Sequence, residues 1–293
     1  MRGDGVILGP MTQCGRIAIA GRPNVGKSSL LNALVGDRLA MVSPKAQATR
    51  EPVVGLRTDG EIQFIFEDLP GLLDPSYLLQ ERMVGLAVAA IRRADVILHL
   101  HPATEYPAPD LGTLLPPGVK PRQPVVVAYT KSDLAKPAQM VANQLYLSTE
   151  PVRGLEALTV ILSRHLPEAA WQYPGDDLGT QPVRFFVTEY LREAAFQYLE
   201  DELPYSFAAE VEEFRETSDP IYIRTTLFVE RESQKRILIG AGGRTIKAIG
   251  QHARLRLEPL LGGRVFLETW VKVVPHWRQS GEFLARLGFP GHS

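Results

Sequence analysis

Apolar positions up to about Leu166 come as short runs separated by stretches of helical spacing. Arg16 to Ala20, Glu61 to Glu67, Asp95 to Leu100 and Pro124 to Tyr129 read as strands. Ser29 to Val35 and Leu155 to Leu166 read as helices. This alternation predicts an α/β fold: a mostly parallel sheet with helices on both faces. Sheets of this kind bind ligands at the carboxyl ends of their strands. Tyr173 to Pro182 holds two prolines and two glycines without periodicity and reads as a linker.

Beyond the linker the pattern changes. Phe185 to Leu203 is helical and acidic, and Ile221 to Glu230 alternates like a strand. Lys235 to Ile239 is a short apolar run, strand or helix, that enters Gly240-Ala241-Gly242-Gly243. A basic helix from Thr245 to Leu257 follows, then a strand from Arg264 to Val274. The expected organisation is a first domain over 1–172, with 1–12 as a disordered Gly-rich extension. A linker over 173–182 and a smaller α+β domain over 183–293 complete it. At 293 residues, two domains agree with length alone.

Composition adds two points. The single cysteine, Cys14, cannot make an internal disulfide, so a reducing, cytoplasmic compartment is expected. The best membrane candidate, Met83 to Leu100, is broken by Arg92, Arg93 and Asp95, and the N-terminus shows no signal peptide. The net charge of −1 hides an asymmetry: Ile221 to Ser293 carries 12 Lys/Arg against 5 Asp/Glu, net +7, leaving −8 elsewhere. A basic module beside an acidic remainder suits a polyanionic partner for one end, or a plain solvated surface.

The chemistry is densest at Gly21-Arg22-Pro23-Asn24-Val25-Gly26-Lys27-Ser28, which fits the phosphate-binding pattern G-x-x-x-x-G-K-[ST] between a strand and a helix. Glycines let successive backbone N–H groups face phosphate oxygens, and Ser29 continues this row into the helix N-terminus. Lys27 is placed to reach the outer phosphates, and Ser28 to hold Mg²⁺. Asp68-Leu69-Pro70-Gly71 follows the Glu61–Glu67 strand. Asp68 is a further candidate for the metal, and the Gly71 N–H for sensing a γ-phosphate. Thr49, in the polar loop from Ser43 to Arg50, is the candidate second metal ligand. Lys27, Thr49 and Gly71 are accordingly the catalytic candidates.

Thr130-Lys131-Ser132-Asp133 follows a strand. An aspartate there accepts two hydrogen bonds from guanine, which adenine cannot offer, so Asp133 selects GTP over ATP. Lys131 lays its stem over the base, and Ser148-Thr149-Glu150 offers a backbone N–H to the guanine oxygen. An ATP-dependent kinase, the rival reading, is disfavoured by Asp133. In the second half, G-x-x-G between two helical segments is the mark of a KH module, which clamps single-stranded RNA. Lys235, Arg236, Arg244, Lys247 and Arg254 supply phosphate contacts around Gly240, Ala241, Gly242 and Gly243. Ile237, Ile239, Ile246 and Ile249 are divided between groove and core. His99 and His101 lack a third metal partner and read as part of a solvent-edge strand.

With these motifs in hand, the series resembles the translation-factor-like GTPases, and nearly the whole chain resembles the Era family of bacterial two-domain GTPases. The likeness is carried also by Lys45 to Arg50, Gln181 to Phe186, Glu210 to Phe214 and Trp270-Val271-Lys272-Val273. It implies a type II KH domain, binding near the 3′ end of small-subunit ribosomal RNA and a role in maturation of the 30S subunit. It also implies peripheral association with the inner face of the cell membrane, and a monomer is expected. Related GTPases with asparagine at the position of Asn24 use K⁺ beside Mg²⁺. Thr130 departs from the usual asparagine, Leu69 from the usual threonine, and Thr149 from the usual alanine. Leu72 stands where many small GTPases carry a water-orienting glutamine, so slow intrinsic hydrolysis is expected, or a nucleotide-sensing RNA chaperone with almost none.

Overall fold

The computed structural model describes residues 12–43, 45, 47–136 and 139–291. The expected disorder of residues 1–12 thus falls almost wholly outside the described residues. Two compact units result: Met1–Ala40, Thr49–Asp74 and Leu86–Thr180 in the first, and Met41–Ala48, Pro75–Gly85 and Gln181–Ser293 in the second. Two segments numbered within the first stretch therefore belong to the second unit.

In the first unit, β1 (Gln13–Ala20), α1 (Lys27–Val35), β2 (Val53–Asp59), β3 (Ile62–Asp68), β4 (Val96–Pro102) and β5 (Val125–Thr130) build the main sheet and its first helix. Between β3 and β4 runs α2 (Leu78–Arg93). The strand order is β2-β3-β1-β4-β5, with β2 antiparallel to β3 and every other pair parallel. Apolar β-branched runs such as Arg16–Ala20 suit strands buried on both faces. Ile17, Ala18, Ile19 and Ala20 are accordingly all fully buried. The acid Glu67 within this sheet is stabilised by Arg16 at 3.0 Å and Arg93 at 2.6 Å.

One strand escaped the sequence reading, and the setting of another differs from that expected. β2 carries no clear strand pattern because of Gly55. A Cβ there would lie 2.6 Å from the Leu31 side chain, so close packing of α1 selects glycine inside a strand. The two histidines do not sit at a solvent edge. β4 is flanked by β1 and β5, and His99 and His101 are 1% and 3% exposed. His101 is satisfied by the Glu105 carbonyl at 2.8 Å. Neither ring nitrogen of His99 has a hydrogen-bond partner among the described residues. Burial and the adjoining His101 push its pKa down to about 4, so it is neutral near pH 7.

After β5 come β6 (Ser148–Thr149), β7 (Val152–Arg153) and α3 (Leu155–Ser163). The second unit is built from α4 (Val183–Tyr198), β8 (Ala208–Arg215), β9 (Ile221–Val229), α5 (Glu232–Ile239), α6 (Arg244–Leu261), β10 (Val265–Val273) and α7 (Gly281–Arg286). Its sheet has the order β10-β9-β8, with β10 parallel and β8 antiparallel to β9. Strand alternation sends Ile221, Ile223, Leu227 and Val229 into a core with Val187 and Leu191 of α4 and Ile249, Ala253 and Leu257 of α6. Phe228 points to the opposite face, where Phe283 of α7 packs edge-on against it at 4.9 Å. The helix expected as far as Leu203 stops at Tyr198; Leu199 and Leu203 stay in the core without being helical, which prolongs the apolar pattern.

Candidate functional site

The first glycine-rich turn lies at the carboxyl end of β1. Gly26 adopts φ 93° as the N-cap of α1, and Gly21 takes φ 153° against the backbone of β4. A Cβ on Gly21 would meet the Leu100 carbonyl oxygen at 2.6 Å, so only glycine fits this approach. Lys27 is 6% exposed, and its ammonium donates to the Arg22 carbonyl at 3.0 Å, reaching back across the turn. Burial lowers its pKa, with Asp68 pulling in the opposite direction.

Three oxygens converge at the start of α1. The Ser28 hydroxyl donates to Asp68 Oδ2 at 2.6 Å and lies 3.0 Å from Thr49 Oγ1, which itself donates to Asp68 Oδ2 at 3.2 Å. One carboxylate and two hydroxyls form an all-oxygen donor set, the kind that Mg²⁺ prefers. The residues therefore fit the metal. Gly71 belongs to the same cluster: a Cβ there would fall 2.7–2.9 Å from Pro23, placing the Asp68–Gly71 turn directly on the phosphate loop. Leu69 and Pro70 are buried beneath it, and the Leu72 N–H donates to the Gly21 carbonyl at 3.0 Å. The Leu72 side chain is 2% exposed, so it serves packing.

Beside this cluster is a cavity of about 280 Å³ lined by Gly26, Ser29, Thr130, Lys131, Asp133, Ser148, Thr149 and Glu150. Leu30, Leu134 and Leu147 complete the wall; the sequence reading missed them because apolar residues near a turn carry no polar signature. The Ser148 hydroxyl donates to Asp133 Oδ1 at 2.8 Å, which fixes the carboxylate's orientation. Thr130, in place of the usual asparagine, donates from Oγ1 to the Val25 carbonyl at 2.6 Å. A shorter side chain thus ties the base-side strand to the phosphate loop. Arg22, Asn24 and Val25 complete the loop, with Asn24 at φ 62° and Val25 buried.

In the second unit, α5 and α6 flank Gly240–Gly243, so Lys235–Ile239 is a helix rather than a strand. Gly240, Gly242 and Gly243 all have positive φ, and a Cβ on Gly240 would meet Thr245 Oγ1 at 2.3 Å. Ala241 is exposed between them, and Arg244 folds back to the Ala241 carbonyl at 3.4 Å. The groove opens not at this turn but between α6 and β10, lined by Ile246, Lys247, Gly250, Gln251, Arg254, Phe266, Leu267 and Thr269, with a volume of about 350 Å³. Lys247 and Arg254 are therefore groove residues, whereas Lys235 and Arg236 are on α5. Of the four isoleucines, Ile249 is core, Ile246 lines the groove and Ile237 is 59% exposed. The contribution of β10 to the groove was not foreseen.

Comparison with known proteins gives these sites a family. The 50S ribosome-binding GTPase profile matches residues 16–143, and the KH domain profile matches residues 202–278. GTPase Era of Carboxydothermus hydrogenoformans is 37% identical over 289 residues, covering 94% of this chain and 97% of the relative. The chain belongs to the Era family of GTPases. Its reaction is the hydrolysis of GTP to GDP and phosphate. An Era crystal structure in complex with MgGDPNP and nucleotides 1506–1542 of 16S ribosomal RNA matches with a TM-score of 0.88 and 35% identity. That match covers 96% of this chain and 100% of the other. An Aquifex aeolicus Era variant bound to GDP·AlF4⁻ matches with the same TM-score at 34% identity, and with the same coverage. Among the described residues, no helix is long and apolar enough to cross a membrane.

Proposed function

We propose that this chain is a GTP-driven switch that binds small-subunit ribosomal RNA near its 3′ end and assists maturation of the 30S subunit in the cytoplasm. The observation that carries the reading is the full-length likeness, at 0.88 TM-score, to an Era in complex with both MgGDPNP and a 16S ribosomal RNA segment. The phosphate loop and the guanine cavity support the first activity, and the α6–β10 groove beside a +7 charge supports the second.

Asp133, held by Ser148, reads the two guanine donors, while Lys131 covers the base. Lys27 and the loop amides neutralise charge developing on the transferred phosphoryl group. Ser28, Thr49 and Asp68 would hold Mg²⁺, which supplies further charge neutralisation when bound. Asn24 is the residue through which K⁺ would act. Gly71 reports the γ-phosphate through its N–H, and loss of that contact on hydrolysis releases the RNA. Peripheral membrane association would be through a surface rather than a span.

RNA affinity measured with a non-hydrolysable GTP analogue and with GDP tests the switch. Tighter RNA binding in one nucleotide state is expected; equal affinities overturn it. Leu72 favours a second reading, because a buried leucine cannot orient water: a nucleotide-sensing RNA chaperone with negligible intrinsic hydrolysis. Steady-state phosphate release with and without small subunits separates the two.

A further inference from the structure

The Trp270-Val271-Lys272-Val273 segment lies on β10, the edge strand that lines the α6–β10 groove. Val265, Leu267, Val271 and Val273 pack toward the core, so Phe266, Glu268, Trp270 and Lys272 face the other side of the sheet. On that side Phe266 is 55% and Trp270 57% exposed. Neither aromatic is loose. Phe266 stacks on Tyr222 at 5.9 Å between ring centres with planes 11° apart, and the Trp270 indole N–H donates to Glu268 Oε1 at 2.9 Å. Tyr222 donates to the other Glu268 oxygen. Two large aromatic surfaces are thus held open to solvent, about 13 Å apart along the strand.

Phe266 also lines the groove, and Trp270 directly follows the groove residue Thr269. The aromatic row is therefore continuous with the groove around the edge of the sheet. Its charges are matched three against three: Lys272 pairs with Glu212 at 3.2 Å, Arg224 with Glu212 at 3.5 Å and Glu213 at 3.4 Å, and Arg215 with Glu213, while Glu268 is held by the Tyr222 and Trp270 donors. A face with balanced charge and exposed rings attracts bases rather than phosphates.

We propose that Trp270 and Phe266 form a second RNA-contacting surface, a stacking platform for unpaired bases of the strand that leaves the α6–β10 groove. The proposal rests on the RNA-binding reading above. It assigns the two faces of β10 different work: the groove side holds the nucleotides nearest the glycine turn, and the aromatic side holds those that follow.

The test uses the full chain, its Trp270→Leu and Trp270→Phe variants, and two single-stranded RNAs with the sequence of the small-subunit 3′ end. One has about four nucleotides, the length a G-x-x-G turn clamps; the other has about twelve, within the range of extended single-strand sites. Trp270→Leu is expected to weaken binding of the longer RNA about tenfold and to leave the shorter one unchanged. Trp270→Phe is expected to restore most of the loss. The slope of log affinity against log salt should stay the same in all three proteins, because no phosphate contact is removed. Equal affinity of Trp270→Leu and the parent for the longer RNA overturns the platform, as does an equal loss on both RNAs. A parent chain that binds neither RNA overturns the RNA-binding reading itself.

Discussion

Two glycine turns enter helix N-termini in this molecule, and they solve opposite problems. The turn Gly21–Ser28 is enclosed: Lys27 is buried across it, Gly71 presses on Pro23, and Thr130 braces Val25. The turn Gly240–Gly243 is open, with Ala241 and Gly242 exposed and its cations on neighbouring helix surfaces. An enclosed turn fixes one ligand by many short, directed contacts that exist before it arrives. An open turn gives close backbone approach and leaves selection to the groove and strand around it. Similar local geometry would thus suit a compact nucleotide in one place and, on the proposed reading, a long chain in the other.

The comparison is sharpened most by Asp133→Asn. On the proposed reading guanine is recognised by two hydrogen bonds to one fixed carboxylate, so the variant should lose GTP affinity roughly a thousandfold and gain affinity for xanthosine triphosphate. RNA affinity without nucleotide should not change. Calorimetric titration of both triphosphates checks this, and retained GTP preference would break the assignment of the base cavity.

A middle-sized effect concerns acid. His99, on the strand that contacts Gly21, has its pKa lowered to about 4, against an ordinary value of 6.5. Well above pH 6.5 the ring is neutral whether folded or unfolded. As pH falls from there toward about 4, the unfolded chain takes up a proton that the folded one refuses, so stability drops. Between about pH 7 and about pH 5 the loss is about 2 kcal/mol. Urea unfolding at both pH values should show it in the parent and not in His99→Leu.

The smallest effect is expected at the open turn. Gly240→Ala sets a Cβ against Thr245 and strains a positive φ, and should cost RNA affinity about tenfold while leaving GTP binding untouched. Fluorescence anisotropy with labelled single-stranded RNA measures it. A thousandfold loss would mean that this turn is as directed as the first.

The two turns were also unequally visible in the sequence. The strand, loop and helix from Arg16 to Val35 were legible because each residue's chemistry is local: glycine for backbone room, lysine for charge, an apolar run for the strand. Asp68, Gly71, Thr130 and Asp133 follow the same rule at strand ends. Legibility failed where a neighbour distant in sequence decides. Gly55 looks like a strand breaker until Leu31 is packed on it. His99 and His101 look polar until β1 and β5 enclose their strand. The groove was half visible, since charge and glycines mark α6 but nothing local marks the β10 edge that completes it.

One consequence concerns cutting the protein apart. Lys45 donates to the Phe196 and Leu199 carbonyls at 2.7 and 2.8 Å, and Arg192 to the Ala48 carbonyl at 2.6 Å. Arg82 likewise donates to the Gly281 carbonyl at 3.0 Å. A fragment ended near Thr180 would keep Lys45, Ala48 and Arg82 and discard every one of those partners. Nucleotide turnover measured on such a fragment would therefore describe a protein with one loop and one helix end cut adrift, not the front half of this one at work.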